Sequence, residues 1–93
     1  LIECDLMGYK KWKAEMQRIY DKLLDNINEE EKTILKEQQR AWKKYKDLQL
    51  KFQQKFYEDN GSNGLMMIAS GKTDLVRKRA MELQAYLDVL DIN

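Results

Sequence analysis

Ninety-three residues, 35% of them charged and none of them proline, make one small helical domain. Seventeen basic residues against sixteen acidic ones leave a net charge of +1, short of the basic excess that marks a dedicated nucleic-acid binder. With one cysteine and no histidine the chain can form neither an internal disulfide nor a Cys/His metal site, and no apolar run approaches the ~18 residues of a membrane span.

The chain opens on Leu1 rather than methionine, so a preceding segment is expected, a cleaved signal peptide being one form of it. Residues 1–4, Leu-Ile-Glu-Cys, read as a frayed end or a packing tail. The rival reading is a lipid-modified Cys4, against which Glu3 stands where a small residue is wanted. From Asp5 to Ile27 the apolar residues Leu6, Tyr9, Met16, Tyr20, Leu23 and Ile27 step by three and four, with Trp12 covering the gap at Lys13. That spacing predicts a first helix, weakened in its first turn by about 1 kcal/mol through Gly8.

Asn26–Glu31 reads as a turn. Asn28 can cap a new helix, Glu31 can complete a capping box, and Glu29–Glu31 then lie at the positive end of the helix dipole. A hydrophobic staple is missing, because Lys32 stands where a partner for Ile27 belongs. The rival is one uninterrupted helix, since the stripe can run on through Ile27, Glu31, Ile34 and Gln38. The break is preferred because Glu31 would otherwise sit in the seam.

The second helix is expected from about Glu29 to about Tyr57. Leu35, Gln38, Trp42, Tyr45, Gln49, Phe52 and Phe56 form one face, with Ile34, Ala41 and Leu48 beside it. A face this aromatic needs partners from the rest of the chain. Lys36, Arg40, Lys43, Lys44, Lys51 and Lys55 lie opposite, as a solvated face or as one that meets phosphates or an acidic protein. Glu58–Gly64, with Asn60-Gly61 and Asn63-Gly64 as turn dipeptides, is the clearest loop and a candidate contact loop.

The third helix is expected from near Leu65 to Asp91. Leu65, Ile68, Leu75, Val76, Leu83, Tyr86, Leu87 and Leu90 mark its buried side, and Arg79 falls on or beside it. Gly71 is expected to kink or break it, with Ser70 or Thr73 capping the longer piece. Met66 and Met67 are adjacent, so at most one faces the core. Without histidine, chemistry would fall to carboxylates, a lysine or Cys4. The only carboxylate cluster, Glu29–Glu31, reads as a helix start, so neither a catalytic residue, nor a metal, nor a cofactor is expected.

The stretch Leu35–Asp47, LKEQQRAWKKYKD, resembles the L…Q-x-x-W-x-x-Y-[RK]-D signature of the LprI-like proteins, carried here by Leu35, Gln39, Trp42, Tyr45, Lys46 and Asp47. Glu3, Cys4, Tyr9 and Tyr20 are similar to the family's E-C…Y…L-N-x-x-Y beginning, with Met16 and Gln17 in place of the Leu-Asn pair. Tyr57-Glu58, a glycine-rich loop with Ser62, then Arg79, Glu82, Leu83 and Tyr86 are similar to its Y-E-G-G-S…R-x-x-E-L…Y end. The family's two usual cysteines are Leu50 and Gly71 here, and its aspartate early in the first helix is Lys13.

The resemblance implies a secreted, periplasmic or lipid-anchored bacterial domain without catalysis, whose partner is a protein, lysozyme being the partner in the family's name. Gly61, Ser62, Asn63 and Lys72 are the expected contacts. Leu35, Gln39, Trp42, Tyr45, Asp47 and Arg79 are expected to be architectural, Arg79 and Asp47 as an internal ion pair. The expected fold is all-α: a compact three-helix bundle with the second helix as its spine, the first antiparallel to it and the third returning after the loop. A monomer or weak dimer is expected, with no nucleic acid bound. The alternative is a helical scaffold or oligomerisation module, and a nucleic-acid adaptor using the basic second helix comes third.

Overall fold

The computed structural model describes residues 2–58 and 61–91, with side chains from Met7 onward except those of Ser62 and Asn63. Three helices follow in order: α1 (Ile2–Leu24), α2 (Glu29–Tyr57) and α3 (Gly61–Leu90). They form an all-helical bundle 47 Å long and 23 by 16 Å across.

The turn between α1 and α2 is built as the sequence implies. Asn28 is extended and accepts from the Glu31 backbone N–H at 2.8 Å, while the Asn28 N–H donates to the Glu31 carboxylate at 3.0 Å. Both halves of the capping box are therefore made, and the long continuous helix is excluded. α1 ends three residues earlier than expected, at Leu24. There the Asn26 side chain donates to the Lys22 carbonyl at 2.7 Å and draws the chain out of the helix. At the other end Ile2–Cys4 are already helical rather than a tail, and the side chains of Cys4 and Leu6 lie outside the described residues.

The spine is α3, not α2. α1 and α2 both pack on α3 and barely meet each other. α1 runs parallel to α3, with Gly8 against Thr73 and Lys72 over Tyr9 at one end and Leu23 near Tyr86 at the other. α2 runs antiparallel to it, from Leu35 near Tyr86 to Gln53 near Gly71. The reason lies in where the apolar side chains fall. α2 carries lysines over much of its circumference and buries only Leu35 among its apolar side chains, whereas α3 buries Val76, Ala80, Leu83 and Leu87 and is covered on more than one side.

The core is Met16, Ile19 and Leu23 from α1, Leu35 from α2, and Val76, Ala80, Leu83 and Leu87 from α3. Trp12, Tyr20, Leu24, Ile27 and Trp42 pack at its edge. Several residues expected to be buried are not: Tyr45, Phe52, Phe56, Leu65 and Tyr86 are all more than half exposed.

The expected loop Glu58–Gly64 is largely absorbed. α3 begins at Gly61, whose φ of +56° is the left-handed turn that only glycine adopts cheaply, so Gly61–Gly64 are its opening turn. The expected break at Gly71 is not made either. The helix runs through it, and the Thr73 hydroxyl, expected as a cap, donates to the Ala69 carbonyl inside the helix. A glycine costs a helix only about 1 kcal/mol, and here its missing side chain admits Gln53 of α2.

Candidate functional site

Two very different surfaces carry the residues singled out by the sequence. The first is internal. Arg79 and Gln39, each 4% exposed, meet between α3 and α2. The guanidinium donates through Nε to Gln39 Oε1 at 2.9 Å, through one terminal nitrogen to Gln38 Oε1 at 3.0 Å and through the other to Glu82 at 3.0 Å. Gln39 in turn points its amide at Met16 Sδ of α1, 3.9 Å away. One buried cation thus ties the three helices in register, and its fork geometry is what a lysine could not supply. Its expected partner, Asp47, is exposed; it lies two turns beyond Gln39, about 12 Å along α2 and away from the guanidinium.

Leu35 is buried beside this network, and Trp42 packs on the core edge with the Lys46 ammonium 5.4 Å from its ring centre. Nearby, burial and the Asp21 carboxylate push the Tyr20 phenol above its ordinary pKa, against the opposing pull of Arg40 and Arg79. The expected contact Lys72 is half-buried, its ammonium seated 4.2 Å over the Tyr9 ring. Gly61 is exposed at the corner between α2 and α3, and the side chains of Ser62 and Asn63 lie outside the described residues.

The second surface is external. Ile34, Tyr45, Leu48, Phe52 and Phe56 are 54–63% exposed. At 100° per residue they share one face of α2 with Ala41, about a quarter turn from the face carrying Leu35, Gln39, Trp42 and Gln53. The Phe52 and Phe56 rings stack at 5.7 Å, and Tyr57 meets Phe56 edge-on at 5.0 Å. Lys44, Lys51 and Lys55 line one edge of this stripe; Lys55 pairs with Glu58 at 3.2 Å, and among the described residues Lys44 and Lys51 form no ion pair, although Asp47 lies three residues from the one and four from the other. Sequence reasoning noted Ile34, Ala41 and Leu48 only as neighbours of the main face. Their own spacing with Tyr45 and Phe52 was the available signal for a second face.

Two clefts lie where α2 meets α3. An apolar one of about 310 Å³ lies where Ile27, Ile34 and Leu35 meet Tyr86, Val89 and Leu90, and its one carboxylate, Glu31, is engaged in the capping box. A more polar one of about 600 Å³ opens between α2 and α3, lined by Gln53, Tyr57, Ser70, Asp74 and Arg77. In it Asp74 is hydrogen-bonded by Arg77 and then by Lys78, which hold its carboxyl below the usual range. Among the described residues no group of three His, Cys, Asp or Glu side chains could hold a metal ion, and no helix is long and apolar enough to cross a membrane.

Compared with known families, residues 2–83 match the family model described as "Lysozyme inhibitor LprI". No curated protein and no solved structure matches the chain.

Proposed function

The chain belongs to the lysozyme inhibitor LprI family, and from that membership we propose that it is a non-catalytic, extracytoplasmic binding domain that inhibits a lysozyme by blocking its cleft. The family match over residues 2–83 carries this reading. It is supported by a rod-shaped bundle held in register by the Arg79 network, which offers a partner a surface already ordered. The proposed partner is a protein; the corner residues Gly61, Ser62 and Asn63, together with Lys72, are one candidate contact set, and occlusion by the narrow end of the rod is the mechanism they would serve.

Lysis of bacterial cell walls by a panel of lysozymes, with and without the domain and alongside a binding titration, tests the proposal. Stoichiometric loss of lysis is the expected result. Full lysis and no binding with every lysozyme type would end it. A second reading, an oligomerisation module, is favoured by the exposed apolar stripe of α2. Light scattering separates the two, because a monomer at high concentration excludes an obligate oligomer.

A further inference from the structure

We infer that the outward stripe on the second half of α2, Tyr45, Leu48, Phe52 and Phe56 with Lys44 and Lys51 at its edge, is the surface that enters the partner's cleft. The cleft it fits is one lined by carboxylates, as the paired acids of a glycosidase are. This deepens the inhibitor reading and rests on it.

Four observations favour this surface. Its side chains are exposed without serving the fold: Phe52 and Phe56 are 62% and 63% exposed, and α2 meets α3 through Gln53 instead. Phe, Tyr and Met are enriched at the buried centre of interfaces, and exposed Met66 and Met67 on α3 line the groove shared with Tyr57, whose ring meets Phe56. The rings are already arranged, since Phe52, Phe56 and Tyr57 pack on one another, so little side-chain freedom is left to lose on docking. The stripe is also a ridge on a single helix, running about 22 Å from Ala41 to Phe56, and a ridge is complemented by a groove.

The charge selects the occupant. Lys44 and Lys51 would come to lie beside the rim of whatever covers the aromatic ridge, and an acidic rim is the complement. A second copy fits less well. Antiparallel self-docking places like flanks together, so Lys44 and Lys51 of one copy would face Lys51 and Lys44 of the other. The net charge of +1 gives little long-range attraction, so recognition depends on these local contacts rather than on steering.

The test uses the intact domain and a lysozyme that the wild type inhibits. Phe52→Glu with Phe56→Glu should weaken inhibition and binding by on the order of 100-fold. Lys44→Glu with Lys51→Glu should weaken both by roughly 10-fold, a loss that shrinks as salt is raised. Bulky replacements of Ser62 and Asn63 test the competing corner set, and Lys10→Glu with Lys11→Glu, exposed on α1, should leave both within about twofold. Thermal melting of each variant matching the wild type shows that the fold is kept, and the lysine pair gives a readout independent of any defect in the phenylalanine pair. Inhibition that survives both stripe variants, or that is abolished by the corner variants alone, overturns the inference while leaving the inhibitor reading intact. A wild type that inhibits no lysozyme overturns both. A wild-type dimer that the phenylalanine variants dissociate, with inhibition unchanged, assigns the stripe to self-association and overturns the inference.

Discussion

The two halves of α2 meet fates opposite to their aromatic content: Glu29–Trp42 holds one aromatic ring and Lys43–Tyr57 holds four, yet only the first half has buried side chains. In the first half Leu35 and Gln39 are buried and Trp42 packs on the core. In the second half, no side chain is buried, and Leu48, Phe52 and Phe56 face outward. The difference is one of phase. A straight helix keeps to its neighbour through residues 35, 39, 42, 46, 49, 53 and 57, whereas the aromatic residues continue at 45, 52 and 56 and drift around the axis. Beyond Trp42 the half-buried positions are Lys46, Gln49, Leu50, Gln53 and Tyr57, and the lysine and glutamines cover the interface with their stems. One half of the helix builds the bundle, and the other half leans on it while displaying its rings.

The largest test of that contrast is a pair of truncations. Leu83→Ala, at a fully buried site beside the first half, should cost about 3–4 kcal/mol in denaturant unfolding. Phe52→Ala, the larger truncation, should cost under about 1 kcal/mol because its ring is already in water. Equal losses would mean that the two halves are equally packed, and the contrast would fail. Amide exchange provides the same comparison without mutation: the second half of α2 should exchange before the first.

Next comes the register device. Arg79→Ala removes the cation and leaves Gln38, Gln39 and Glu82 without it, a loss of about 2–4 kcal/mol. Arg79→Lys should recover only part of this, because an ammonium cannot reach three acceptors in the guanidinium's plane. Full recovery in thermal melts would show that charge alone, not geometry, holds α2 against α3.

The sequence made some of these features plain and concealed others for physical reasons. The capping box was legible because both partners are local: Asn28 and Glu31 are three residues apart and need nothing else. The extent of α2 and the presence of three helices followed from periodicity. The beginning of α3 did not, because Asn60-Gly61 and Asn63-Gly64 carry the same turn signal; Gly61 takes the positive φ and Gly64 is buried inside the helix. Which face of α2 is inward was also concealed. Hydrophobicity points to Phe52 and Phe56, while packing uses Gln53, and no local rule favours a glutamine over two phenylalanines. Gln39 and Arg79 stood out only as motif residues; that they bond each other across forty positions is a fact of tertiary packing.

A smaller effect probes the contact that the second half does make. At Gly71 an added Cβ would come within 2.8 Å of Gln53 Oε1, the movable end of a side chain whose oxygen has no hydrogen-bond partner among the described residues. The amide can swing aside at little cost, so Gly71→Ala should raise stability by about 0.5–1 kcal/mol through helix propensity. A loss instead would show that Gln53 is held firmly and that the second half of α2 is more tightly docked than its exposure implies.

The smallest expected effect concerns the edge of the same groove. Asp74 receives hydrogen bonds from Arg77 and Lys78, so its carboxyl is held below the ordinary value in the folded state. A depressed folded pKa contributes stability that is present above the unfolded pKa of about 3.9 and is lost as pH falls through the lower folded value. The group is well exposed, with 40% of its side chain in contact with solvent, so screening limits the contribution at pH 7 to a few tenths of a kcal/mol. Asp74→Asn, of nearly equal helix propensity, should therefore melt slightly below the wild type at neutral pH, with the gap closing as pH falls through the lowered folded value of the carboxyl. A gap that persisted in acid would place the Asp74 contribution in packing rather than charge, and the open groove between α2 and α3 would be more closed than the geometry shows.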